Sequence, residues 1–232
     1  MLISDTVEGI DELCSLNYYA RFRIIYNLLP LLKESSIARV VSVLGGGKES
    51  AIDTNDLQVK NYTLINAISA NNMKTTLIME FLAKVHPEIS FCHTYPGFVN
   101  TGQLDRLMLT AKGIWSIPAS VARYTLVPFV SWFARTPDQA GEYGLFIATS
   151  ERYPSAKPKE GKSAGVKLPE GVGIAESSVV VDGKGNGVYR LDQNGDSSPD
   201  SKDLIKYREE KLAEKVWEET EDTWNKAIER AG

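Results

Sequence analysis

Hydrophobic residues along the first half of the chain follow two spacings, one typical of helices and one of buried strands. They recur at helical spacing from Asp11 to about Lys33 and from about Asn66 to Val85. Two short, nearly continuous apolar runs, Arg39–Leu44 and Ile89–Tyr95, have the pattern of parallel strands buried on both faces. Helix, buried strand, helix, buried strand is the order of right-handed crossovers. The pattern therefore predicts an α/β fold with a doubly wound parallel sheet.

The second half of the chain has a more varied pattern. Thr136 and Pro137 suit the N-cap and first position of a helix that runs to about Thr149. Lys, Pro and Gly residues crowd between 153 and 173, which indicates a flexible surface loop. Three further elements are expected: strands at Ser177–Val181 and Gly187–Leu191 around a Gly-rich turn, and one amphipathic helix from about Lys202 to Arg230.

Composition narrows the class of protein. The 232 residues, 43% hydrophobic and 24% charged, suffice for a single domain, residues 1–232, with its own core. A net charge of −4 with scattered Lys and Arg argues against a nucleic-acid partner. The two cysteines, Cys14 and Cys92, make no disulfide framework and indicate a reducing, cytoplasmic location. The acidic N-terminus does not resemble a signal peptide, and no run of about 18 uncharged apolar residues predicts a membrane span.

The stretch CHTYPGFVNTG, residues 92–102, is the first candidate for a ligand site. An apolar strand breaks there at Pro96-Gly97, and ligand crevices of doubly wound sheets lie outside the carboxyl ends of the strands. The stretch is therefore interpreted as the far wall of a nucleotide pocket. The near wall should be a Gly-rich turn that binds phosphate. Gly45-Gly46-Gly47 resembles such a turn in composition but not in position. It follows a different strand, so a tight turn is the favoured interpretation.

Several stretches carry a family resemblance in combination: Asn17 in the first helix, RVVSVLGGG (39–47), LAKVHPEISFCHTYPGFVNTG (82–102) and RTPDQAGEYGLFIATS (135–150). Together they resemble the short-chain dehydrogenase/reductase family. The ending GVYRLDQNG, followed by a helix containing EKVWEET, is similar to a fungal branch found in secondary-metabolite pathways. The resemblance implies a Rossmann-like fold and an oxidoreductase that uses NAD or NADP.

The resemblance also assigns cofactor contacts to the loop after the second strand. Pro96, Gly97, Val99 and Thr101 match the family's Pro-Gly-x-Val-x-Thr loop. The Thr101 hydroxyl could bond the nicotinamide carboxamide, and the backbone from Pro96 to Val99 could line its ring. The alternative is inherited architecture that binds no ligand, and both interpretations stay open.

The chain departs from the family pattern at the phosphate turn and at the acid/base residues. Complete members begin with a strand, a Gly-rich turn and a helix, so the resemblance implies an N-terminally incomplete, truncated fold. The family's catalytic Tyr, Lys and Ser fall at Ile68, Asn72 and Gly45, which cannot transfer protons as that mechanism requires. Tyr62 and Asn66 have the spacing of the Tyr–Lys pair but bring no cation. Asn17 is the single catalytic position that survives.

Residues 113–134 form a strongly apolar segment with five aromatic residues and two prolines. In the family this segment is the substrate lid. It could also be an association surface or a membrane-surface helix. Arg123 and Pro128 argue against a membrane span, and a lid or buried helix is favoured.

Two metal or proton-transfer candidates remain. An acidic stretch places Asp192, Asn194, Asp196, Ser198, Asp200 and Asp203 at the ligand positions of an EF-hand loop. Ser197 occupies the position that requires Gly, and the last ligand is a short Asp, so a solvated acidic turn without metal is favoured. His86 is expected to cap a helix end. His93 precedes the cofactor loop and is the one imidazole placed for proton transfer.

These observations favour an oxidoreductase of the short-chain dehydrogenase/reductase type. A catalytically silent form that binds a partner or a small apolar ligand is the alternative, and a non-redox cyclase or isomerase is a third hypothesis. A small apolar substrate is compatible with each. Open helix faces and an open strand edge would favour self-association.

Overall fold

The computed structural model describes residues 5–60, 63–102, 106, 109, 116–161, 164–181 and 183–231. The chain divides into two compact units. One unit combines Met1–Tyr95 with Ile147–Gly232, and the other comprises Pro96–Phe146. The larger unit contains a three-stranded, all-parallel sheet, which confirms the predicted α/β, Rossmann-like class.

The first predicted helix is present as three consecutive helical segments. Helix α1 (Glu12–Cys14) leads through a π-helical turn (Ser15–Tyr19) into helix α2 (Ala20–Glu34). Asp11 is the N-cap, and its carboxylate accepts the Cys14 backbone N–H at 2.9 Å. The buried face carries Tyr18, Tyr19, Phe22 and Leu29.

The sheet has the order β1 (Arg39–Val43), β2 (Ser90–Thr94) and β5 (Val188–Leu191). All five residues of the central strand β2 are buried, as the continuous apolar run predicted. Strand β1 pairs on one side only among the described residues, and the Val43 side chain is 47% exposed. The expectation of burial on both faces is therefore correct for β2 and wrong for β1.

Two long helices build the core beside the sheet. Helix α3 (Leu64–Val85) begins at the N-cap Thr63 and packs against β2 and β5. The C-terminal helix α7 (Leu212–Ala231) packs in turn on α3. The buried side chains that join these layers include Met73, Leu77, Phe91, Val188 and Val216.

The C-terminal third differs from the predicted pattern in two places. A short antiparallel pair forms between β3 (Val180–Val181) and β4 (Lys184–Gly185), so part of the expected turn is itself a strand. Strand β5 pairs with β2 in the main sheet rather than closing a simple hairpin. The single expected terminal helix is split into α6 (Lys202–Glu209) and α7, because Lys211 has a left-handed backbone (φ 54°).

The smaller unit contains helix α4 (Ser116–Phe133) and most of helix α5 (Pro137–Thr149). Thr136 caps α5 as predicted. Its hydroxyl accepts the Gln139 N–H at 3.2 Å, and the Gln139 side chain accepts the Thr136 N–H at 3.0 Å. On α4, Tyr124, Phe129, Trp132 and Phe133 are largely exposed. None of the described helices is long and apolar enough to cross a bilayer.

Candidate functional site

The predicted cofactor loop has a defined backbone within the smaller unit. Gly97 has a left-handed backbone (φ 74°), which favours glycine at this turn. The Asn100 N–H donates to the Arg135 carbonyl at 2.8 Å, and the Arg135 N–H donates to the Phe98 carbonyl at 2.8 Å. These bonds hold Val99 in a parallel bridge with Arg135. The loop is therefore anchored on both sides of Val99.

The other predicted site residues differ in exposure. Thr101 is exposed, and its backbone N–H donates to the Val99 carbonyl at 2.8 Å. Pro96 is half-buried. Asn17 belongs to the larger unit, where it lies half-buried in the π-helical turn. Such turns are frequent at functional sites, which is compatible with the role that the resemblance assigns to Asn17.

The glycine triplet after β1 is a tight turn, as the sequence interpretation favoured. The Lys48 N–H donates to the Gly45 carbonyl at 3.0 Å, and Gly47 has φ 77°. A Cβ on Gly46 would lie 1.9 Å from the His93 carbonyl oxygen, and one on Gly45 would lie 2.4 Å from the Asn72 amide nitrogen. Glycine is required here for close packing against β2 and α3. The turn does not offer an open cradle for phosphate.

The positions of the family's proton-transfer residues hold no acid or base. Ile68 is 46% exposed on α3, whereas Asn72 is buried against Gly45. Tyr62, the alternative tyrosine, lies outside the described residues, and the Asn66 backbone N–H bonds the Thr63 cap. The residues at these positions therefore cannot perform the family's acid/base step.

His93 lies in a fully buried hydrogen-bonded chain that the sequence interpretation missed. Its Nε2 is 3.1 Å from the Gly45 backbone nitrogen, which can only donate. Nδ1 must then carry the proton and donate to Thr76 Oγ1 at 2.8 Å, and Thr76 donates to Glu49 Oε1 at 2.6 Å. Burial lowers the pKa of His93 to about 4, with the charges of Arg190 and Arg21 acting in the same direction and Glu49 opposing them. Both ring nitrogens of His93 are thus engaged within the core, and proton transfer to a ligand is not its role.

Glu49 connects these hydrogen bonds of His93 and Thr76 to a buried arginine. Arg190 Nη1 lies 3.2 Å from Glu49 Oε2, and both side chains are almost completely enclosed. Arg190 also contacts Asp200, which pairs with Arg208, and Arg208 pairs with Glu80 of α3 at 2.6 Å. The network joins the glycine turn, the sheet and α6. An arginine within the otherwise apolar strand VYRL is the sequence signal that could have indicated it.

The acidic stretch is engaged by the protein's own groups. The Asp192 carboxylate accepts the backbone N–H groups of Asn194 and Asp196 at 2.8 and 3.0 Å. Asp196 pairs with Arg152 at 2.6 Å, and Asp200 is shared by two arginines. Across the described ranges, no three His, Cys, Asp or Glu side chains are grouped so as to hold a metal ion.

The three-stranded parallel sheet with helix α3 packed against it defines a Rossmann-like protein. Oxidoreductase AN1596 of Emericella nidulans is 40% identical over 234 residues, which cover 98% of this chain and 65% of that protein. The NmrA-like family domain-containing oxidoreductase notO of an Aspergillus species is 31% identical over 220 residues, 94% of this chain and 58% of that protein. The short-chain dehydrogenase/reductase SAT2 of Stachybotrys chartarum is 26% identical over 223 residues, 93% and 58%. The chain is thus similar to fungal proteins named as oxidoreductases, and one of these relatives is named as a short-chain dehydrogenase/reductase.

The chain matches only part of each relative. The chain spans less than two thirds of the length of these relatives. No family model matches the chain, and no solved structure matches it either. The activities stated in the names of these relatives are therefore properties of those proteins.

Proposed function

We propose that the chain is an oxidoreductase-type protein of fungal secondary metabolism that contacts the nicotinamide end of NAD or NADP through the loop Pro96–Thr101. The supporting comparison is with relatives named as oxidoreductases, which match 94% to 98% of the chain. The observation that carries the proposal is the loop itself. Its backbone is anchored by Arg135, and Thr101 stands exposed at its end.

The residues of this loop fit one end of the cofactor. The Thr101 hydroxyl can both donate and accept a hydrogen bond, and so can the nicotinamide carboxamide through its NH₂ and carbonyl groups. Gly97 has no side chain, so the nicotinamide can approach its backbone closely. When bound, the nicotinamide supplies hydride transfer. The described glycine turn does not fit the pyrophosphate, because Gly46 is packed against the His93 carbonyl. Pyrophosphate binding supplies much of the affinity for dinucleotides, so we expect this contact to be weak.

A catalytically silent form is the second candidate function. It is favoured by Ile68, Asn72 and Gly45 at the positions of the acid/base residues. A phenol titrates near pH ~10 and needs a nearby cation to act as a base at neutral pH, and here neither the phenol nor the cation is present at those positions. Such a protein would bind a nicotinamide or a small apolar ligand without turnover.

Titration with NADH and NADPH, followed by saturation-transfer NMR and nicotinamide fluorescence, tests the proposal. We expect saturable binding no tighter than roughly millimolar, which corresponds to about −4 kcal/mol. Thr101→Val should weaken it, whereas Thr125→Val, at an exposed position of α4, should not. Absence of saturable binding, or binding that ignores Thr101→Val, would contradict the proposed role of the loop. Turnover of a ketone or alcohol substrate separates the oxidoreductase from the silent form.

A further inference from the structure

A small cavity of about 20 Å³ borders the amino ends of strands β1 and β2, within the larger unit. Ligand crevices of such sheets lie at the carboxyl ends of the strands, so neither the sequence pattern nor the family resemblance assigns this place a role. Its walls come from residues 35–39, from the start of β2, and from the loop that carries Ser155 and Lys159. One water molecule needs roughly 10–15 Å³. The cavity therefore suits a single atom slightly larger than a water oxygen.

Arg39 lies in the wall of this cavity, and most of its N–H groups are already in use. Nη1 donates to the carbonyls of Ile147 and Ser150, both at 2.8 Å. Nη2 donates to the carbonyls of Tyr153 and Ala164 at 2.8 and 3.3 Å. A guanidinium has one further donor, Nε–H. Nε is buried and has no hydrogen-bond partner among the residues that the structure describes, so one N–H of a cation is left for a ligand.

The positive charge of Arg39 is not balanced by a carboxylate. The groups that its Nη atoms bind are neutral carbonyls, and burial lowers its pKa. None of the side chains that oppose this shift, in the described part of the chain, is a carboxylate. Arg190, the buried arginine of β5, pairs with Glu49 instead. Removing an unpaired charge from water is costly, and an anion beside the Arg39 guanidinium would offset that cost.

The other charged groups around the cavity also favour an anion. Lys159 is a second cation in the wall, and its ammonium donates to the Lys33 carbonyl. Glu88 is the one carboxylate among the described lining residues, and its Oε1 is 4.0 Å from Nδ1 of His86. Burial and then the charge of Lys33 lower the pKa of His86, which is the direction expected where cations outnumber carboxylates. Two cations and one carboxylate give the described wall a net positive charge.

Serine hydroxyls complete the wall. Ser90 donates to the Tyr153 carbonyl at 2.8 Å, and Ser35 donates to the Ile37 carbonyl at 3.1 Å, so these two protons are engaged within the protein. Ser155 also lines the cavity, and a hydroxyl can rotate its proton towards an anion. The wall therefore combines cations with neutral donors, which is a suitable environment for one small anion.

We propose that this cavity binds a single halide ion, with chloride as the abundant candidate. The ion would accept the Nε–H of Arg39 and balance the charge of that guanidinium. A water molecule could accept the same N–H but would leave the charge unbalanced. Phosphate and sulfate carry four oxygens each and exceed the volume of the cavity. A bound halide would connect the start of β1 to the loop that carries Lys159, so it would stabilise the fold at this end of the sheet.

The NMR linewidth of chloride in the presence of the whole chain tests the proposal, because chloride that exchanges with a protein site gives a broadened line. We expect excess linewidth that saturates below roughly 100 mM chloride. Bromide should remove it, whereas phosphate at the same ionic strength should not. Replacing gluconate with chloride at constant ionic strength should also raise the melting temperature by about 2–4 °C.

Three variants and a control connect the binding to these side chains. Arg39→Gln should abolish the excess linewidth, and Lys159→Gln should weaken chloride binding at least twofold. Glu88→Gln removes the carboxylate of the wall and should tighten binding at least twofold. The matched control is Arg152→Gln, since Arg152 already pairs with Asp196 at 2.6 Å. It should leave chloride binding unchanged.

Arg39 also holds four backbone carbonyls, so circular dichroism first establishes whether Arg39→Gln folds. If it does not, Lys159→Gln and Glu88→Gln decide, because they change the charge of the wall in opposite directions. Crystals soaked in bromide should show an anomalous peak beside Arg39 Nε. Absence of excess linewidth, equal displacement by phosphate, affinity that follows neither Lys159→Gln nor Glu88→Gln, or a water molecule in place of the anomalous peak would overturn the proposal.

Discussion

The Gly45 backbone N–H donates to Nε2 of His93 at 3.1 Å, linking the turn after β1 to the neighbouring strand β2. The bond requires a neutral imidazole, because a protonated ring has no acceptor. The opposite nitrogen is committed to Thr76 and, through it, to Glu49. The position of the glycine turn thus depends on the protonation state of one buried histidine.

The first prediction is a loss of stability on acidification that depends on His93. Its pKa is about 4 in the folded chain, below its ordinary value of 6.5, so the unfolded chain binds more protons between these two values. Stability therefore rises with pH across this window and is lost as pH falls from 6.5 towards 4. The full effect is of the order of 3 kcal/mol. Urea unfolding at a series of pH values measures it.

A His93→Gln variant removes the titrating group and should reduce this dependence on pH, at the cost of lower stability at pH 7 because Gln cannot reproduce both ring hydrogen bonds. His86→Gln is the comparison variant. Burial and the charge of Lys33 lower the pKa of His86 as well, but His86 is only partly buried at the end of α3, so its removal should change the slope less. An unchanged slope of stability against pH in His93→Gln would show that other groups cause the acid sensitivity.

The second prediction concerns the close packing of the glycine turn. Gly46→Ala should destabilise the chain by about 2 kcal/mol or more, because the new Cβ would overlap the His93 carbonyl, a backbone atom that cannot move alone. Gly141→Ala is the matched control in helix α5, where a Cβ meets nothing within 4 Å. It should leave stability unchanged or raise it by about 0.5–1 kcal/mol. Denaturant melts of the two variants, compared with the wild type, decide between these outcomes.

The sequence predicted the local elements better than their partners. Thr136 begins a helix through local hydrogen bonds with Gln139, so the start could be predicted from neighbouring residues, and the structure confirms it. The partner of Val188–Leu191 depends instead on contacts with β2, some hundred residues earlier, which no local pattern encodes. Lys211 is an ordinary helix former, so the break between α6 and α7 was not predictable from propensity.

The candidate site likewise has one part that is local in sequence and another part that only the fold brings together. The Pro-Gly-x-Val-x-Thr motif is continuous in sequence and could be recognised directly. The buried network could not, because Glu49, Thr76, His93 and Arg190 come from four separate elements and only the fold brings them together. Each of these residues, taken alone, is common on protein surfaces.

The third prediction is self-association. Leu16, Ile24 and Leu31 repeat at intervals of about two helical turns and are each at least 60% exposed. Exposed apolar helix faces of this kind favour contact between copies. Sedimentation should therefore show concentration-dependent dimers or larger species, and Ile24→Glu with Leu31→Glu should shift them towards monomer. Lys33→Glu serves as a charge control on the same helix. A monomer at every concentration would contradict the prediction.

The last prediction is that the chain alone does not turn over NADH or NADPH with generic ketones or alcohols. General acid/base catalysis contributes roughly 10²–10⁴-fold, and its loss compounds with poor cofactor positioning. Ile68→Tyr, Asn72→Lys and Gly45→Ser together should not restore turnover. A side chain at Gly45 has no space beside residue 72, and the turn that carries it still offers no phosphate site. Turnover by the unmodified chain that is abolished by Thr101→Ala or Asn17→Ala would contradict this, and would instead identify those two side chains as the working site. Measuring nicotinamide absorbance with enzyme in excess makes even a single turnover detectable, so a slow active site would not escape the test.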